Sequence, residues 1–136
     1  MGYGAAFDLI HNSPYVAAVT IADADEIKPV EAAGRIGTER ITPQTIDAGD
    51  EAAVRELFAG HDAVISCVNY WYNESLSKIA IETGAHFCDL GGNNYVVDSQ
   101  LALNEQAKAA GVSIIPPVAV TGVPRPTIIQ RQCSDR

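Results

Sequence analysis

Positive charge is scarce in this 136-residue sequence. Nine lysines and arginines stand against seventeen aspartates and glutamates, for a net charge of −8 and a pI near 4.6. The basic residues form no cluster, so nothing could displace the counterions of a phosphate backbone, and a nucleic-acid partner is excluded. Cysteine is scarce too. Cys67, Cys88 and Cys133 are far apart and odd in number, which excludes a disulfide framework and any metal-ligand spacing. Cys67 and Cys88 sit within apolar runs and are read as buried, inert thiols. No apolar run is long enough to span a membrane, and no basic region followed by an apolar segment opens the chain, so the expected location is cytoplasmic. Internal repeats and low-complexity segments are missing as well.

A persuasive catalytic pair is also lacking. His11, His61 and His86 lie in a turn, before a strand and at a strand start, each without a base, nucleophile or metal partner in sequence reach. They are read as structural. Ser66 is not followed by a nucleophile-elbow pattern.

What is present is a regular alternation in a chain that is 47% apolar and 19% charged, the profile of one folded domain. Gly2 to Ile10 reads as a helix ended by "HNSPY", and "VAAVTIAD" as a buried strand ending at Asp23. A second helix begins near Asp25, with Pro29 in its first turn. "ITPQTID" is a weaker strand, placed at a sheet edge by Pro43. Asp50 caps "EAAVRELFA", which Gly60 ends. "DAVISCV" has the continuous apolar character of a parallel strand covered on both faces. "NESLSKIAIET" is a helix stopped by Gly84, and "HFCDL" a strand broken by Gly91 and Gly92. "VVDSQLALNEQAKAA" is one helix stopped by Gly111, and "VSIIP" is the last strand.

Helices alternating with strands through short loops predict an α/β fold with a doubly wound parallel sheet. Such a Rossmann-like domain starts with a strand, whereas this chain starts with a helix. The strand lacking is the first, which is central in the order 3-2-1-4-5-6. Gly2 then stands where the last glycine of a G-x-G-x-x-G fingerprint would be, with small residues thinning the face of its helix; a tightly packed helix rich in small residues reads the same way. Asp23 ends the next strand, where a carboxylate can accept ribose hydroxyls and repel a 2′-phosphate, or simply begin a loop. After "DAVISCV", the run "NYWYN" exposes Asn69, Tyr70, Trp71, Tyr72 and Asn73, which could wall a ligand pocket or cover a helix or subunit contact. Asp89 beside Gly91 and Gly92 fits either close backbone approach to a ligand or a tight turn.

The segments Asp62 to Tyr70, Ala80 to Asn93 and Ala107 to Pro116 make the sequence specific. With "GAAFDL" and "VTIADAD", they resemble the nucleotide-binding domain of saccharopine dehydrogenase-like oxidoreductases, closest to the lysine 6-dehydrogenase branch. Asn69 stands where that branch usually has proline. The resemblance covers residues 1–116 as an incomplete dinucleotide-binding domain. It leaves 117–136 as a divergent tail without the catalytic domain, so the chain is read as truncated at both ends. It implies an oxidoreductase acting on C–N bonds, with NAD as cofactor, NADP as the alternative, and an amino-acid substrate. By position it implies a cofactor site of Gly2, Asp23, Asp47, Cys67, Val68, Asn69, Asp89, Gly91 and Gly92, with no catalytic residue in this chain. Without a central strand, unpaired backbone groups cost about 1–3 kcal/mol each where buried, and low stability with weak dinucleotide binding is expected. The other reading is a non-catalytic α/β module whose sheet edge or aromatic loop assembles a homo-oligomer.

Overall fold

The computed structural model describes residues 1–117. The tail reading of 117–136 therefore lies, apart from Pro117, outside the described residues, as does Cys133. The first sheet pairs β1 (Val19–Asp23) with β2 (Ile41–Thr45) in parallel, Val19 opposite Ile41 and Asp23 opposite Thr45. The second is parallel in the order β3-β4-β5, from β3 (Ala63–Ser66), β4 (His86–Asp89) and β5 (Ile114–Ile115). No strand among the described residues lies between β1 and β3. The expected α/β fold with parallel strands, interrupted at its centre, is what the chain adopts.

Helices alternate with these strands, and three of them stop at a left-handed glycine, Gly37, Gly84 or Gly111. Helices α1 (Gly2–Asn12) and α2 (Ile27–Ile36) pack Ala6, Ile10 and Ile36 on Ile41, with Val19 and Ile21 joining them. Helices α3 (Glu51–Ala59) and α4 (Asn73–Thr83) bring Val54, Phe58, Leu76, Ile79 and Ala80 onto Phe87 of β4. Full burial of a side chain such as Phe87 or Ile79 contributes about 1.5–3 kcal/mol. Ile46, just beyond β2, packs into this second cluster and ties the two halves together. Asp50 caps α3 as expected, its Oδ1 accepting the Ala53 N–H at 3.1 Å. Gly84 and Gly111 end their helices at φ 77° and 72°, a left-handed conformation that a side chain would strain. No helix among the described residues is long and apolar enough to cross a membrane.

Four expectations need correction. "VAAVTIAD" pairs only from Val19, because the Arg40 guanidinium holds the preceding backbone: Nε donates to the Ala17 carbonyl at 3.1 Å, Nη1 to that of Ile10 at 3.1 Å, and Nη2 to that of Val16. The strand β3 is not covered on both faces. Ala63 is exposed and Ile65 is 40% exposed, since no helix among the described residues lies over that side. Cys88 borders the same open face and Cys67 lines the gap beside β1, so both are half-buried rather than buried. The last long helix divides into α5 (Asn94–Ala102) and α6 (Asn104–Ala110). Gln100 is tied inward at the end of α5, Leu103 N–H makes a tightened bond to the Gln100 carbonyl, and α6 restarts with Leu103 and Ala107 buried.

Candidate functional site

The free edges of β1 and β3 line one cavity of about 1110 Å³, flanked by the start of α1 and by residues of α2 and α3. Sheet order runs away from this gap in both directions, to β2 on one side and to β4 and β5 on the other. In open parallel sheets such a reversal is the crevice where ligands bind, outside the carboxyl ends of the strands. Five of the nine sequence-derived positions line the cavity: Gly2, Asp23, Asp47, Cys67 and Val68. Asn69, Asp89, Gly91 and Gly92 do not.

Asp23 closes β1 at the rim and is half-buried. Its Oδ1 accepts the Asp25 N–H at 3.0 Å and lies 4.0 Å from Lys28 Nζ, while Oδ2 accepts no hydrogen bond from the described residues. Asp25 caps the following helix, its Oδ1 accepting from Ile27 N–H at 2.9 Å; these backbone donors hold its carboxyl below the usual range. Asp47, exposed beyond β2, spends Oδ1 on the Gly49 N–H at 2.8 Å. A Cβ at Gly2 would meet Cys67 Cβ at 3.8 Å, ordinary contact, so the start of α1 rests on the end of β3 without needing a glycine for space. The first turn of α1 has no acidic residue and no side-chain cap, leaving its N–H groups available to an anion. Burial raises the Cys67 thiol above its ordinary value, which disfavours a nucleophilic role.

Asp89, Gly91 and their neighbours belong instead to a buried polar network that the sequence reading missed. Asn73 is 0% exposed, which corrects its placement in an exposed loop. Ser66 Oγ donates to Asn73 Oδ1 at 2.6 Å, and Ser77 Oγ to the Asn73 carbonyl at 2.7 Å. Gln100 Nε2 donates to Asp89 Oδ2 at 2.7 Å and to Ser77 Oγ at 2.9 Å, and Asp89 Oδ1 accepts the Gly91 N–H at 2.8 Å. A Cβ on Gly91 would stand 2.9 Å from Asn73 Nδ2, so its glycine answers to this network. Gly92 has open space around it. Tyr70 and Trp71 are exposed in a 3-10 turn, while Tyr72 packs against the core. His61 bridges the halves: Nδ1 lies 2.8 Å from the Leu57 carbonyl and Nε2 2.8 Å from Thr20 Oγ1.

The sequence profile of the saccharopine dehydrogenase NADP-binding domain matches residues 1–115. The chain belongs to that family. Within the saccharopine dehydrogenase family it is 32% identical over 79 residues to a saccharopine dehydrogenase [NADP(+), L-glutamate-forming] of Pyricularia oryzae, covering 58% of this chain and 17% of that protein. A Schizosaccharomyces pombe protein of the same name is 36% identical over 66 residues, covering 48% and 14%. The chain thus spans about a sixth of the curated relatives' length. In structure it is similar to the apo saccharopine dehydrogenase (L-Glu forming) of Saccharomyces cerevisiae, with a TM-score of 0.69 at 19% identity over 85% of this chain and 24% of that one. An NAD binding oxidoreductase of Klebsiella pneumoniae gives 0.54 at 20% identity, over 85% and 29%. At those identities the likeness establishes the fold. A saccharopine dehydrogenase-type dinucleotide domain is the role that profile and relatives support together.

Proposed function

We propose that this chain holds a nicotinamide dinucleotide at the carboxyl ends of β1 and β3, NAD ahead of NADP. It serves there as the cofactor domain of an oxidoreductase acting on the C–N bond of an amino acid or its adduct. The observation that carries the reading is Asp23: it ends β1 on the rim of the switch-point cavity with one carboxylate oxygen that accepts no hydrogen bond from the described residues. That oxygen suits a ribose hydroxyl, and the open first turn of α1 suits the phosphates. Gly91 and Gly92 lie off this cavity, so the proposed contacts are Gly2, Asp23, Asp47, Cys67 and Val68, with Asn69 next to them in sequence. When bound, the nicotinamide supplies the hydride chemistry. The chain's own residues orient the dinucleotide and screen NAD from NADP.

The preference can be sized. A 2′-phosphate set about 4 Å from a carboxylate costs about 1 kcal/mol in a water-like dielectric and more where screening is weaker. Lys28 offsets part of this from 4.0 Å, but Asp25 beside it restores a net negative cluster. NAD+ is therefore expected to bind the 136-residue chain about fivefold more tightly than NADP+, and Asp23→Asn should erase most of that ratio. Tighter binding of NADP+ by the unaltered chain, or a ratio that Asp23→Asn leaves in place, would overturn the reading.

A further inference from the structure

On the reading that a dinucleotide lies across the ends of β1 and β3, we propose that the buried carboxylate of Asp89 tunes the site toward the oxidised cofactor. Asp89 closes β4 and pairs in register with Ser66, the last residue of β3. It is 5% exposed. Its Oδ1 accepts the Gly91 N–H at 2.8 Å, and its Oδ2 accepts from Gln100 Nε2 at 2.7 Å. Accepting on both oxygens and donating from neither is the pattern of an ionised carboxylate. Both donors are neutral, and so are Ser77, Asn73 and Ser66 behind them. No ion pair among the described residues includes Asp89. The network thus encloses a negative charge with no described cation against it.

Packing alone does not call for that charge. A buried carboxylate is costly to desolvate, and a neutral amide at position 89 would hold the same corner at less cost. Its oxygen would accept the Gly91 N–H. Its NH2 would find Gln100 Oε1 once the Gln100 amide turned over, an acceptor that is buried without a hydrogen-bond partner among the described residues.

The position of the charge supplies a use for it. With the adenosine ribose at Asp23 and the phosphates at the first turn of α1, the second nucleotide runs past the end of β3 toward β4, where Asp89 stands. Oxidised nicotinamide is a cation, and the ring is neutral once it has taken up a hydride. A fixed negative charge nearby therefore favours the oxidised form. Asp89 does not line the cavity, so it acts through its field and not by contact. Across two strand spacings, or roughly 10 Å, and through a dielectric between those of protein and water, the expected bias in affinity is about fivefold. Asp23 and Asp47 stand at the adenosine end, where the two forms of the cofactor are identical.

The test is titration of the 136-residue chain with NAD+ and with NADH, followed by amide chemical shifts, in the unaltered protein and three variants. A ratio of two dissociation constants on one protein is insensitive to partial unfolding, which weakens both equally. Asp89→Asn removes the charge. Gln100→Lys keeps Asp89 and sets an ammonium against it, which cancels the charge by another route and serves if the first variant fails to fold. Both should lower the ratio of the NADH to the NAD+ dissociation constant about fivefold. Ser77→Ala removes a hydrogen bond from the same network without changing charge, so it should lower the urea midpoint and leave the ratio alone. An unchanged or raised ratio in the charge variants, or an equal fall in Ser77→Ala, overturns the inference and leaves the dinucleotide reading standing. Failure of the unaltered chain to bind either form removes that reading, and this inference with it.

Discussion

Replacing Gly91 by alanine tests the buried network with little ambiguity, because its neighbour is a built-in control. The added Cβ would stand 2.9 Å from Asn73 Nδ2, 3.1 Å from Asp89 Oδ1 and 3.2 Å from Tyr70 Cβ. None of these atoms is the loose end of a flexible side chain. Asn73 is completely buried and fixed through Ser66, and Asp89 is held by Gln100 and by the Gly91 N–H itself. Relief requires a backbone shift or loss of one hydrogen bond, so Gly91→Ala should destabilise by about 2–3 kcal/mol. Gly92→Ala meets nothing within 4 Å and has no left-handed φ, so it should be neutral or stabilise by about 0.4–1 kcal/mol. Urea unfolding followed by circular dichroism measures both, read as a midpoint shift at constant slope. In an Asn73→Ala background the cost of Gly91→Ala should shrink, because the closest clash is gone. Equal midpoints for Gly91→Ala and Gly92→Ala would refute the reasoning.

Three further outcomes follow from the geometry. Asp50→Ala removes the side-chain cap of α3 and should cost about 1 kcal/mol in the same urea assay. His61→Phe removes two hydrogen bonds, one of them linking the halves, and should cost about 1–2 kcal/mol while speeding amide exchange in β1. Burial raises the Cys67 and Cys88 thiols above 9.0, with Asp89 adding to the shift at Cys88. Peptide mapping after iodoacetamide treatment should show both reacting slowly near neutral pH and faster in urea. Because their folded values lie above the unfolded ones, the stability linked to the neutral thiols is complete below 9.0 and is lost as pH rises through the folded values.

The order of elements was legible because their ends are written in local chemistry: Asp50 as a cap, Gly84 and Gly111 as stops, Pro43 on an edge strand. "HFCDL" and "ITPQTID" became strands where expected. Features that depend on residues distant in sequence were not legible. Periodicity could not show that Gln100 turns inward, since a buried glutamine is stabilised only by Asp89 and Ser77, which arrive from β4 and α4. The same applies to Asn73, whose partner Ser66 is on β3. The apolar run of β3 promised two covered faces, but cover depends on neighbours that periodicity does not contain, and Ile65 is left in the open. At the candidate site, the position of Asp23 at the end of β1 was legible, because the strand itself was. The part of Gly91 was not, because the atoms that forbid a side chain there come from Asn73 and Tyr70.

The central claim is that a dinucleotide lies across the carboxyl ends of β1 and β3. Amide chemical-shift mapping of the labelled 136-residue chain with millimolar NAD+ tests it most directly, since weak binding does not hide the contact surface. The account predicts shifts concentrated at Gly2 and Tyr3, at Asp23 and Ala24, and from Cys67 to Asn69. Shifts confined to the open face around Ile65 and Ile115, or none at all, would contradict it.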